Sequence, residues 1–423
     1  MLNYSFFAPR QIVFGWGRRA ELGSLAAQLG RRALLVSGSR TLERNGVIDQ
    51  LVSQLQAAGL DVLRFPTASR EPEVRDVDQL VAEFRSLDPT DADIVIAVGG
   101  GSTIDLAKAV AALATNRQGD SVEEFLEGVG RGLQITQPPL NLIAMPTTSG
   151  TGAEATKNAV ISSNSETADS SHVGPVPPAM LRSSIWPVEP ALRDSVVSVA
   201  PYKKSLRSEL MIPRLVLIDP ELTVSVPPDV TAFTGMDAIT QLIESYISRR
   251  AAPIPQGLCL HGLKLAIPAL PIAVNDGSSQ PAREAMAHAA LLSGMALANS
   301  GLGFAHGVAA ALGVTCQVPH GLACAVMLPA ALNLNLPVRT RELADLERLF
   351  DPEVGIDPVA ANAFIDRIES LCESLNIPAR LRDIGVKHEQ LAALVPGSQG
   401  NSMSANPRNV SDHKLSQILE EMW

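Results

Sequence analysis

Asp93-Ile94-Val95-Ile96-Ala97-Val98-Gly99-Gly100-Gly101-Ser102-Thr103-Ile104-Asp105-Leu106-Ala107-Lys108 is the stretch that decides the fold. Ile94 to Val98 are apolar without alternation, so they read as a strand buried on both faces. Three glycines break it, and the chain resumes with helical spacing. A strand, a glycine turn and a helix in that order let backbone amides approach a diphosphate and turn the positive end of the helix dipole toward it. The spacing is not G-x-G-x-x-G, and a tight strand-to-helix turn needs the same glycines.

Working upstream, residues 32–36 read as a strand that runs into Ser37-Gly38-Ser39-Arg40, residues 47–58 as a helix, 61–65 as a strand and 74–84 as a helix. Downstream, residues 140–145 form another apolar segment. It leads into Pro146-Thr147-Thr148-Ser149-Gly150-Thr151-Gly152-Ala153-Glu154, where hydroxyl and amide donors can bind a second part of the same cofactor or cap a helix. Strands alternating with helices imply parallel pairing. Residues 164–200 are rich in Pro and Ser with poor periodicity and read as an insertion. The last strand is 215–218. After Pro228 the segments 231–247, 258–267, 282–298, 304–312, 322–334, 359–375 and 415–422 all read as helix. The expectation is α/β plus all-α: a parallel-sheet nucleotide-binding domain over 1–222, carrying the insertion, and a helical metal and substrate domain over 223–423.

The helical half holds the residues best suited to chemistry. Phe304-Ala305-His306-Gly307 opens an Ala-rich helix, Pro319-His320-Gly321 begins another, and Gly235-Met236-Asp237-Ala238 lies on a third. Two imidazoles and a carboxylate on separate apolar helices can converge on one divalent metal and leave positions open for substrate. Each of the three alone also fits a hydrogen-bonded core or cap residue.

Totals narrow the class. The 423 residues call for about two domains. There are 34 basic against 44 acidic residues, a net charge of -10, which argues against nucleic-acid and anionic-membrane partners. No apolar stretch is expected to span a bilayer. The four cysteines form no C-x-x-C pair and no disulfide framework, and a reducing cytoplasm is expected; Cys316 and Cys324 flank His320, where a thiolate ligand is conceivable, and read as small core residues. The start of the chain lacks the basic and apolar run of a signal peptide. An even-numbered homo-oligomer is the base-rate expectation.

Taken together, Gly99-Gly100-Gly101-Ser102 with Asp105 and Lys108, Pro146 to Gly152, Asp219-Pro220-Glu221-Leu222, Gly235 to Ala238, His306-Gly307, Pro319-His320-Gly321 and Asn406-Pro407-Arg408 resemble the iron-containing (group III) alcohol dehydrogenases, over nearly the whole chain. The resemblance implies a nicotinamide cofactor, NAD or NADP, between an α/β and a helical domain. It implies a divalent metal, Fe2+ or Zn2+, on the helical side. Gly99, Gly100, Gly101, Ser102, Asp105, Thr147, Thr148, Thr151 and Gly152 would line the cofactor, and Lys203 would reach its ribose. Asp237, His306 and His320 would be the metal ligands and the catalytic centre.

The chain departs from the family pattern at three places, one of them the insertion at 164–200, which can be a lid, an oligomer contact or a solvated excursion and is read as the last. The family's partner to Asp237, a histidine four residues on, is Gln241 here, which can ligate weakly, bind the metal's water or hold Asp237. The histidine expected four residues after His306 is Ala310. The implied reaction is hydride transfer between a small alcohol and the nicotinamide, giving an aldehyde or ketone. No acid follows the strand at 32–36; Gly38, Ser39 and Arg40 suit the 2′-phosphate of NADP. Rival readings are a metal-free reductase of the maleylacetate type, a dehydroquinate-synthase-like lyase, and a nucleotide-binding protein with a decayed site.

Overall fold

The computed structural model describes residues 3–67, 70–163 and 202–423. Among the described residues there are eight strands: β1 (Gln11–Phe14), β2 (Arg32–Ser37), β3 (Asp61–Pro66), β4 (Asp93–Gly99), β5 (Asn141–Pro146), β6 (Asn158–Ser162), β7 (Lys203–Arg207) and β8 (Leu215–Ile218). Six of them form one parallel sheet in the order β1-β8-β5-β4-β2-β3. Helices α1 (Leu22–Ala27), α2 (Arg40–Arg44), α3 (Val47–Ala57), α4 (Val74–Ser86) and α5 (Gly101–Thr115) connect the strands. Period-two geometry divides β4 between two cores. Val95 and Ala97 pack with α4 and α5, while Ile94, Ile96 and Val98 pack with α1 and α3. That is why β4 shows no polar alternation.

Strand order reverses between β2 and β4, which are adjacent although β3 intervenes in sequence. In open α/β sheets the crevice at such a switch point, beyond the carboxyl ends of the strands, is where ligands bind. Ser37 pairs with Val98, so Gly38 and Gly99 leave the sheet side by side.

Two parts of this half were not expected from the sequence. The first is β1, four residues paired to β8 at the sheet edge. The second is a small antiparallel sheet of β6 and β7, joining Asn158–Ser162 to Lys203–Arg207 across the insertion. A polar strand whose partner lies forty residues away carries no local signature. The insertion at 164–200 and its His172 lie outside the described residues.

The helical half contains α6 (Pro228–Ile247), α7 (Pro253–Asn275), α8 (Gln280–Ser300), α9 (Phe304–Cys316), α10 (His320–Glu347), α11 (Asp357–Ser374), α12 (Leu391–Ser398), α13 (Asn401–Ser404) and α14 (Asp412–Met422) around one core. Helices α7 and α10 outrun the expected ends at 267 and 334. Pro268 and Pro271 lie inside α7; Pro329 and Pro337 lie inside α10. The only non-helical backbone within α10 is at Arg339, φ -135° and ψ 25°, just past Pro337. Tertiary packing overrides the helix-breaking tendency here. Because of their length, α7 and α10 are apolar and long enough by composition to cross a membrane, which corrects the expectation that no stretch is. Much of their apolar surface is instead used inside the helical core, through Leu263, Ala266 and Leu270 of α7 and Leu328, Ala331 and Leu332 of α10.

Two close approaches position the site. Gly152, with φ +60°, touches Gly294 of α8; a Cβ on Gly294 would lie 2.2 Å from the Gly152 carbonyl oxygen. This contact seats the loop after β5 on the helical half. A Cβ on Gly321 would lie 2.3 Å from the Phe233 carbonyl oxygen, so only glycine lets the start of α10 approach α6 so closely. Both neighbours are backbone and cannot swing aside. Gly294→Ala should therefore destabilise the protein by about 1–3 kcal/mol, the usual cost of overpacking, read as a lower midpoint in urea or thermal unfolding. Unchanged stability would mean that the two backbones do not meet as described.

Candidate metal and cofactor site

Three helices bring Asp237, His306 and His320 together. Asp237 lies mid-way along α6, and 237, 241 and 244 share one helix face. His306 is in the first turn of α9, and His320 is the first residue of α10, after Pro319. His306 Nε2 is 3.1 Å from Asp237 Oδ1, and His320 Nε2 is 3.9 Å from the same oxygen. Cys324, one turn beyond His320, places its Sγ 3.7 Å from His320 Nε2. One donor atom from each of these four residues lies within 4.8 Å of every other. Two imidazoles, a carboxylate and a thiol form a donor set that suits zinc or ferrous iron.

The surroundings fix these groups. Glu244 accepts from His306 Nδ1 at 2.7 Å. The same carboxylate accepts from the Gly303 amide at 2.9 Å and the Ala305 amide at 2.7 Å, two donors at the start of α9. Asn406 Oδ1 accepts from the Phe304 amide at 3.1 Å and from Asn335 Nδ2 at 2.9 Å, which gives the Asn406-Pro407-Arg408 segment its role. Gln241 Nε2 donates to Asp237 Oδ1 at 3.2 Å and to the Thr151 carbonyl at 3.3 Å, while its Oε1 accepts from Ser293 Oγ at 2.8 Å. Both ends of the amide are engaged. Of the three roles open to Gln241, the geometry matches the one that holds Asp237.

Electrostatics follow from burial and these contacts. Burial opposes ionisation of Asp237, but the hydrogen bond from His306 and the neighbouring imidazoles hold its pKa below the ordinary carboxylate value. Burial also disfavours charge on His306, yet Cys324, Asp237 and Glu244 together raise its pKa well above that of a free imidazole. His320 goes the other way: desolvation, aided by the positive charge of Lys203, pushes it down to about 4, so it is neutral at physiological pH. Its Nδ1 is buried and has no hydrogen-bond partner among the described residues.

The cofactor-side residues gather at the switch point. The Thr147 amide donates to the Gly99 carbonyl at 3.0 Å, which ties the two turns together. Gly100 is the N-cap of α5, and no side chain caps that helix. Thr103 lies against both Gly38 and Gly99; a Cβ on Gly38 would come within 2.0 Å of Thr103 Oγ1. Thr151 packs on Gly101, where a Cβ would meet its hydroxyl at 2.5 Å. Gly99 and Gly101 thus answer to packing, whereas a Cβ on Gly100 would make only ordinary contact with Thr148, at 3.5 Å. Ser39 caps α2 by accepting from the Leu42 amide, and Arg40 is exposed. Lys203, on β7, is ion-paired with Glu71.

Asp105, expected on the cofactor side, also makes contacts within the protein. Its carboxylate accepts from the Val160 amide at 3.1 Å and lies 4.0 Å from Lys108 Nζ. Lys108 is fully buried and donates to the Ala153 carbonyl at 2.9 Å, to Thr156 Oγ1 at 2.7 Å and to the Asn158 carbonyl. Burial raises Asp105 to about 6 and lowers Lys108 to about 8. This pair locks α5 to the chain after Gly152. Glu244, Glu71 and Cys324 were not among the expected site residues. Glu244 was within reach of the sequence, because an acid seven residues after Asp237 in an apolar helix shares its face.

Known proteins supply the context for this geometry. Residues 9–180 match the family model for iron-containing alcohol dehydrogenase, and residues 231–423 match that for the C-terminal part of the Fe-containing alcohol dehydrogenase family. The NAD-dependent methanol dehydrogenase of Bacillus methanolicus is 29% identical over 98% of this chain and 99% of its own. The 1,3-propanediol dehydrogenase of Klebsiella pneumoniae is 31% identical over 100% of this chain and 97% of its own. A solved structure of 1,3-propanediol oxidoreductase superposes with a TM-score of 0.85 at 29% identity, covering 100% of both chains. The chain belongs to the iron-containing alcohol dehydrogenase family, oxidoreductases that interconvert alcohols and carbonyl compounds.

Proposed function

We propose that the protein oxidises small alcohols, or reduces the corresponding aldehydes or ketones, at a divalent metal held by Asp237, His306 and His320. The observation that carries this reading is the convergence of three donors from α6, α9 and α10, with His306 Nε2 3.1 Å and His320 Nε2 3.9 Å from Asp237 Oδ1. When bound, the ion supplies Lewis acidity toward the oxygen of the alcohol or carbonyl. The nicotinamide supplies the hydride acceptor or donor. The protein's own contribution is placement. Glu244 fixes the His306 ring and keeps its Nε2 aimed at Asp237. Gln241 holds Asp237 and, through the Thr151 carbonyl, registers the β5 loop against α6. The uncapped amides at the start of α5, with Gly99, Gly100, Gly101 and Ser102, suit the cofactor diphosphate; Thr147, Thr148, Thr151 and Gly152 border the same crevice. Lys203, oriented by Glu71, suits the ribose hydroxyls. Relatives act on methanol and on 1,3-propanediol, so short alcohols and diols are the substrates to try first. The four free cysteines fit a reducing cytoplasm.

Cofactor choice turns on the end of β2. No carboxylate stands there to hold the adenosine 2′-hydroxyl, and Thr103 fills the space that a side chain at Gly38 would need. Gly38, Ser39 and the exposed Arg40 leave room and charge for a 2′-phosphate. The methanol dehydrogenase relative is NAD-dependent, but overall identity does not report on these few side chains. We therefore assign NADP as a cofactor accepted at least as well as NAD. The free edge of β1, with Ile12 exposed on it, suits pairing with a second copy in an even-numbered assembly.

Four outcomes are expected. In a panel of short alcohols, diols and aldehydes followed by nicotinamide absorbance, turnover is present, falls on chelation and returns with ferrous or zinc ion; turnover untouched by chelation with no metal in the protein sinks the metal reading. In the same assay Glu244→Gln weakens metal affinity or activity by about 10–100-fold, the usual effect of removing a residue that orients a ligand. The ratio of kcat/KM for NADP to that for NAD is at or above unity, and a strong preference for NAD overturns the assignment. Light scattering on the eluting protein gives an even multiple of the 44.7 kDa chain mass; a monomer removes the role given to β1.

A further inference from the structure

We propose that Cys324 is the fourth protein ligand of the metal, taking the place that Gln241 leaves unfilled, so that the alcohol or carbonyl oxygen would be a fifth. This rests on the metal site proposed above.

The family resemblance implies a second ligand one helical turn after Asp237, and position 241 carries an amide whose two ends are already used. Its Oε1 accepts from Ser293 Oγ at 2.8 Å, and its Nε2 donates to Asp237 and to the Thr151 carbonyl. The amide thus turns Nε2, which has no lone pair for a cation, toward Asp237, and its Oε1 toward Ser293. One turn after His320, however, α10 offers a sulfur. Cys324 is fully buried, and its Sγ lies 3.7 Å from His320 Nε2. The four-residue spacing puts both on one face of the helix, so the two-ligand clip expected on α6 is found on α10 instead.

The separations suit a single ion. Usual zinc bond lengths in a tetrahedron place sulfur and nitrogen ligands about 3.6 Å apart, and nitrogen and oxygen ligands about 3.3 Å apart. The structure has 3.7 Å for Cys324 to His320, 3.1 Å for His306 to Asp237 and 3.9 Å for His320 to Asp237. No donor pair in the set exceeds 4.8 Å. Charge also balances: one carboxylate, one thiolate and two neutral imidazoles cancel a divalent cation inside an apolar core. The nearby Glu244 is compensated by the Gly303 and Ala305 amides. On binding, the S–H bond breaks, a sulfur–metal bond forms, and the thiol proton leaves to solvent by way of the cleft that His320 borders. A thiolate is a soft ligand, and it biases the set toward zinc over ferrous iron. The other cysteines, Cys259, Cys316 and Cys372, are not in this cluster.

Cobalt(II) loaded into the full-length protein reports sulfur ligation directly, through a near-ultraviolet sulfur-to-cobalt charge-transfer band. The unaltered protein binds cobalt and shows the band; Cys324→Ser loses it, and Cys316→Ser keeps it. Alkylation read by mass spectrometry gives an independent measure: Cys324 is labelled more slowly in the zinc-loaded than in the metal-stripped protein. Cobalt bound without the band, or a band that survives Cys324→Ser, overturns the inference and leaves the Asp237, His306 and His320 site standing. If Cys324→Ser does not fold, the band and the protection of the unaltered protein decide. No cobalt or zinc binding at all removes both this inference and the metal site beneath it.

Discussion

The bond between Glu244 and His306 is the interaction on which the rest of the site depends. A buried carboxylate held by two amides at the start of α9 accepts from Nδ1, and that fixes the ring so that Nε2 points at Asp237. Without it, His306 would be free to rotate in an apolar pocket with one nitrogen unpaired, which is costly. The same contact joins α6 to α9. Asp237 Oδ1 also lies 3.9 Å from His320 Nε2, so an ion bound here would tie α10 to α6 and α9.

Around this cluster, glycine does what side chains cannot. Gly321 lets the start of α10 lie on α6, and the Gly152–Gly294 contact lets the loop after β5 lie on α8. Gln241 then spans from Asp237 to the Thr151 carbonyl, so the metal side and the cofactor side are connected by a single amide. The residue that departs most visibly from the family pattern is thus tied into both halves. A histidine at 241 could not keep all three of its hydrogen bonds, since a neutral imidazole has one donor and one acceptor.

Much of this was legible in the sequence, for local reasons. Ile94 to Val98 with the glycines after it announce a buried parallel strand and the tight turn into α5. His306 and His320 stood out because imidazoles are rare in runs of small apolar residues. Other parts depended on distant partners. β7 is polar and pairs with a strand forty residues earlier, so nothing in Lys203–Arg207 alone marks it. Helices α7 and α10 run through prolines because packing in the helical core outweighs local propensity. Asp105 sits in a cofactor-like motif, yet the turn of α5 that carries it faces β6 and Lys108. Cys324 looked like a small core residue until α10 placed it one turn beyond His320. The residue identities suggested the chemistry, but which donors share a point in space is set by helix rotation, and only the fold supplies that.

The central claim is that Asp237, His306 and His320 meet at one ion. Anomalous diffraction at the metal absorption edge, from crystals of metal-loaded protein, tests it most directly. The account predicts one peak per chain, about 2.0–2.2 Å from Asp237 Oδ1 and from the Nε2 atoms of His306 and His320. A peak elsewhere, or fully loaded crystals whose peak is bonded to fewer than these three residues, would contradict it.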